Sequence, residues 1–169
     1  MAEQAAETLV AELISAIELL VTVSDRSAPG VYIALTTSGA VYITDILDSD
    51  VPPSVTRYAG GAATALRDRQ PLPGTHGFSF DAKTGLGTVL WWKDPAEYTH
   101  PNLPYGGTAR STSPVLLVAR LKDETAAGRD RAVVLLHALV DALRDPNLDY
   151  PSLVARIWAA SRGAGESRH

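Results

Sequence analysis

Two runs rich in β-branched and aromatic residues, VYIALTT at 31–37 and AVYITDIL at 40–47, meet across Ser38-Gly39. β-formers joined by so short a Gly-containing connection read as an antiparallel hairpin. Side chains alternate along a strand, so Val31, Ile33 and Leu35 share one face, as do Val41 and Ile43 on the next strand. Those apolar faces need other elements to cover them. A chain of 169 residues, 46% hydrophobic, is long enough to build that core.

The remaining elements follow from period and punctuation. Val10, Leu13, Ile14, Ile17, Leu20 and Val21 recur at three- and four-residue spacing, which predicts an amphipathic helix over 3–22. The double proline at 52–53 predicts a helix over 54–69, weakened by Gly60-Gly61 at about 1 kcal/mol each relative to Ala. GFSFD and GLGTVLWW predict a second hairpin across 82–85. PVLLVARL, nearly continuous in apolar character, predicts a central strand covered on both faces. Helices are expected over 124–144, where Asp145-Pro146-Asn147 ends the run, and over 151–162. The order α-β-β-α-β-β-β-α-α makes one α+β domain over 1–162, with a mainly antiparallel sheet of about five strands. The tail, 163–169, is expected to be disordered. In element order alone this is similar to the roadblock and profilin-like layouts.

Charge and composition narrow the function. The formal net charge of -4, with both signs mixed along the chain, offers no footprint for nucleic acid or an anionic membrane. With no cysteine, thiolate chemistry and Cys-based zinc sites are excluded. Glu3, Glu7, Glu12 and Glu18 interrupt the N-terminal apolar stretch, so it does not read as a secretion signal. The expectation is a cytoplasmic protein without cofactor or metal.

The most distinctive segment is WWKDPAEYTHPNLPYGGTARSTSP at 91–114. Structureless connections this long are uncommon in compact domains and are often functional. Trp91, Trp92, Tyr98, His100, Tyr105 and Arg110 are types enriched at binding hot spots, and Gly106-Gly107 would allow close backbone approach. By alternation one tryptophan faces the core and the other the opposite face. Asp94 and Glu97 precede His100, and a carboxylate neighbour can orient a histidine general base. The bland reading is a stiff surface loop that covers the edge of the core.

Other candidates favour structural readings. Asp45, Asp48 and Asp50 follow the second strand, where carboxylates could gather a hard cation, but the spacing does not match a calcium loop and suits turns and caps. His76 stands between turn glycines at a strand entrance, and His137 lies at the edge of a buried helix face. Gly60-Gly61 could open an anion-binding helix N-terminus, though close packing explains the pair more simply. No nucleophile elbow and no H-E-x-x-H pattern is present.

The sequence therefore reads as a small binding or regulatory module that contacts a ligand or protein through residues 94–112, with Trp92, Tyr98, His100, Tyr105 and Arg110 as contacts. A cofactor-independent enzyme using His100 as acid or base is the second reading. A structural subunit acting through its helices is the third. The broad apolar arc of the first helix, widened by Leu19 and Leu20, points to a homodimer.

Overall fold

The computed structural model describes residues 2–48, 50–60, 68–91, 108–146, 155–160 and 162. The first helix, α1 (Ala2–Ala16), buries Ala6, Val10 and Leu13 along one stripe. It stops six residues earlier than the helical period suggests. Ile17–Leu20 is a strand, β1, paired antiparallel with a later one, and the Ala16 carbonyl accepts from the Lys122 amide at 3.0 Å. In IELL the spacing of Ile17 and Leu20 fits a helix, but the alternation of Ile17 and Leu19 fits a strand equally well. The partner strand's open edge decided between them. Leu19 and Leu20 thus belong to β1 and do not widen the helix's apolar arc.

At Val21 the chain leaves one sheet and enters another as β2 (Thr22–Ser24). Strands β3 (Gly30–Thr36) and β4 (Val41–Ile46) form the expected hairpin, with Gly39 at φ 90 in the turn. Ser54–Tyr58, expected to be helical, is instead a strand, β5, paired with β4. Its burial alternates, with Val55 and Arg57 inward, and β4 needed a neighbour on that side. Of the rest of that expected helix, 61–67 lie outside the described residues. Strands β6 (Gly77–Asp81) and β7 (Gly87–Trp91) form the second expected hairpin. A further strand, β8 (Thr108–Ser111), lies within the segment read as loop, and β9 (Val115–Leu121) follows it. Helix α2 (Ala126–Leu143) starts at Thr125, whose hydroxyl accepts from the Gly128 amide at 3.2 Å. Residues 155–160 are helical.

All the strand pairs are antiparallel, in a five-stranded sheet ordered β1-β9-β3-β4-β5 and a four-stranded sheet ordered β2-β6-β7-β8. The α+β class and its antiparallel character hold, and the element order agrees in outline. The single sheet of about five strands is two sheets. Both faces of the five-stranded sheet are covered. Val31, Ile33, Leu35, Ile43 and Ala119 pack against α1 and α2, while Tyr32, Ala34, Tyr42, Val55 and Val118 meet Phe78, Phe80 and Val89 of the second sheet. The molecule is therefore three layers deep, and β9, between β1 and β3, is covered on both faces as its apolar run implied. Phe80 is fully buried and lies 5.3 Å from the Tyr42 ring and 5.9 Å from Phe78. Burial of such a side chain contributes about 2–3 kcal/mol. Among the described residues no helix is long and apolar enough to cross a membrane.

Candidate functional site

Sheet topology gathers four connections at one end of the molecule. In the four-stranded sheet this end holds the finish of β2, the start of β6, the finish of β7 and the start of β8, with Gly77 opposite Leu90 and Trp91 opposite Thr108. In the other sheet it holds the start of β3, the finish of β4 and the start of β5, with Gly30 opposite Ile46 and Asp45 opposite Ser54. An open cleft of about 820 Å³ lies there. Its walls come from the β2–β3 connection, the β4–β5 connection and the residues entering β6.

Each wall is shaped by local hydrogen bonding. Beyond β2, the Ser27 amide donates to the Ser24 carbonyl at 2.9 Å and the Ser24 amide to Ser27 Oγ at 3.0 Å. This turn presents Asp25 and Arg26. After β4, the Val51 amide donates to the Asp48 carbonyl at 3.2 Å, and Pro52-Pro53, which have no N–H to satisfy, lead into β5. Before β6, Gly74 takes φ 56, Thr75 Oγ1 donates to the Leu72 carbonyl at 3.2 Å, and the His76 amide donates to the Leu90 carbonyl at 3.0 Å. Ile46, 6% exposed, closes the apolar side.

The structure divides the aspartates that the sequence grouped. Asp48 and Asp50 line the cleft, whereas the Asp45 carboxylate receives both arms of Arg129 from α2, at 2.5 and 2.6 Å. Hydrogen bonding to Asp45, which outweighs burial, holds the Arg129 guanidinium above its ordinary value. Among the described residues no three of His, Asp and Glu could hold a metal ion. His76 lines the cleft, with Nδ1 3.3 Å from the Gly74 carbonyl oxygen. No family model, curated protein or solved structure matches the chain.

The residues expected as contacts are distributed differently. Trp92, Tyr98, His100 and Tyr105 lie outside the described residues, together with Asp94, Glu97 and Gly106-Gly107. Arg110 is on β8, with its guanidinium 5.1 Å from the centroid of the Trp91 ring. Trp91 is 7% exposed and belongs to the inter-sheet core, as one of the two tryptophans was expected to. Arg110 thus covers the core edge through a cation–π contact. His137 sits half-buried on α2, its Nε2 enclosed and without a hydrogen-bond partner among the described residues. Gly60, read as part of a helix, takes φ 56 against that ring, and a Cβ there would overlap Nε2. Close packing accounts for Gly60, with its partner a histidine rather than a sheet.

Sequence reasoning passed over Asp25, Arg26, Thr75 and the prolines as breakers. The available signal was their position. Ser24–Gly30, Ser49–Pro53 and Gln70–Gly77 were all legible as interruptions. What period and composition could not supply was that sheet pairing brings all three to one end.

Proposed function

We propose that this protein is a binding module whose ligand sits in the cleft formed by the 25–29, 46–53 and 74–76 segments. The observation that carries the reading is the cleft itself, concave, of ligand size and lined by both apolar and charged groups. The candidate contacts Trp92, Tyr98, His100 and Tyr105 join this reading through connectivity. The segment that carries them leaves β7 at Trp91 and returns at Thr108, and these two residues are paired at the end of the sheet that bears the cleft. We therefore assign 92–107 a share of the ligand contacts. Arg110 contributes by fixing Trp91 at the base of that segment.

The test is a small-molecule screen by thermal shift on the intact chain and two variants. Val51→Trp, at a position 45% exposed, fills the mouth of the cleft. The second variant replaces 92–107 with a short Gly-Ser turn. Compounds that stabilise the intact chain are expected to lose their effect in Val51→Trp and to weaken at least about tenfold in the loop variant. Unchanged binding in both variants would refute the reading.

A further inference from the structure

We propose that a trough at the end of the molecule opposite the cleft binds the free, monomeric form of a long-chain carboxylic acid. This inference goes beyond the cleft and stands on a different surface. Three adjoining concavities form the trough, and Leu116 of β9 borders each of them. The widest, about 540 Å³, opens between Val21 and the 82–85 turn. Beside Trp158 it narrows to a slot of about 20 Å³, and past Leu143 it widens again to about 190 Å³ next to Thr37 and Arg144. The surface left open along this line is apolar. Val21 is 48% exposed, and Leu116, Leu143 and Trp158 are only half-buried although they pack on the core. Leu86, 71% exposed, follows the turn that makes the outer wall.

The slot sets the shape of the ligand. Leucines of β3, β9 and α2 line it together with Ile157 and Trp158, a lining that offers water few hydrogen-bond partners. Its volume is that of a single water-sized group, which admits an unbranched methylene chain and excludes rings and branched side chains. Charge sets the head group. The charged side chains among the described lining residues are Lys83 at the wide end and Arg144 at the narrow end, in a chain whose formal net charge is -4. The two ends are not equivalent. Arg144 caps the C-terminus of α2, where the last carbonyls disfavour an anion, and Asp141 Oδ1 lies 3.9 Å from its Nη1. Lys83 is exposed on its turn. Its ammonium feels the Asp81 carboxylate, whose Oδ1 is already engaged by the Lys83 and Thr84 amides. The carboxylate head therefore belongs at Lys83, and the chain follows Leu116 through the slot toward Leu143. An exposed lysine contributes modestly, so most of the affinity comes from the buried methylenes.

Calorimetric titration of the intact chain tests this with octanoate, decanoate and dodecanoate, each below its micelle concentration. Affinity is expected to rise about two- to fourfold with each added methylene. Lys83→Gln, at an exposed position, should weaken decanoate by about two- to fivefold and leave 1-decanol unchanged. Arg144→Gln should change decanoate less than about twofold. Val21→Trp, which fills the wide concavity, should weaken decanoate at least about tenfold, whereas Val51→Trp in the cleft should not. Should Val21→Trp fail to fold, the Lys83→Gln titrations decide. Decyltrimethylammonium binding as tightly as decanoate would overturn the proposal. So would an affinity independent of chain length, or unchanged decanoate binding in Lys83→Gln. If Val51→Trp blocks decanoate and Val21→Trp does not, the acid sits in the cleft, so this inference falls and the module reading survives. Long-chain acids are kept out of the screen that tests the cleft, so failure of that reading leaves the trough to stand or fall by these titrations.

Discussion

At the scale of single residues, the fold depends on a few polar contacts placed where burial makes them consequential. Arg57 faces inward from β5, and its guanidinium holds both oxygens of Asp68, at 2.7 and 2.8 Å, with both side chains largely buried. Burial, the largest single influence, works to lower the Arg57 pKa, yet the bonds and charge of Asp68 together with Tyr42 hold the group above its ordinary value. Asp68→Ala would remove both charge-assisted bonds from that largely buried cation and is expected to cost about 3–5 kcal/mol in urea denaturation. Gly60 is the second sensitive point. Gly60→Ala adds a Cβ at φ 56 against His137 Nε2, and should cost about 1–3 kcal/mol. Pairing it with His137→Ala should remove the steric part, so the double variant loses less than the sum of the two singles. Additive losses would show that the two residues do not meet. None of this was legible from residue types, because the partners of Arg57 and Gly60 come from other segments of the chain.

Elements were read well where local pattern and long-range pairing agree. The 31–47 hairpin, the 77–91 hairpin, β9 and α2 all carry their own period or turn signal, and all formed. The misreadings at 17–20 and 54–58 share a cause. Both are edge strands of the five-stranded sheet, and each was selected by a neighbour with an open edge rather than by its own residues. β8 is similar, since nothing in Thr-Ala-Arg-Ser announces a strand until β7 is beside it. The turns are held by carboxylates with a pH signature. Asp81 Oδ1 accepts from the Thr84 and Lys83 amides, and Asp123 Oδ1 from the hydroxyl and amide of Thr125. Backbone bonding from Thr84 and hydroxyl bonding from Thr125, respectively, hold these groups below their ordinary value of 3.8. A lowered folded value means the stabilisation is complete above pH 3.8 and is lost as pH falls through the folded values. Acid denaturation of the Asp81→Ala/Asp123→Ala variant should show a shallower fall in stability below that pH, while an unchanged slope would remove these turns from the acid response.

For the whole molecule, two features of the layered arrangement bear on function. The five-stranded sheet is covered on both faces, which leaves the ends of the sheets as the places where connections can be shaped for a ligand. The chain crosses between sheets at Val21, and the return from β2 into β3 draws the ends of both sheets into the wall of one cleft. The 91–114 segment, prominent in the sequence, is anchored at that same end by the Trp91–Thr108 pair. The walls of the cleft come from three shorter interruptions, which composition did not single out. The opposite end carries the competing surface, where Val21, Leu116 and Trp158 border a second concavity of about 540 Å³. Amide chemical-shift mapping during titration with a compound that stabilises the intact chain in the thermal-shift screen separates the two ends directly. The account predicts shifts concentrated in 25–29, 46–53 and 74–76. Shifts concentrated around Val21, Leu116 and Trp158 would contradict it.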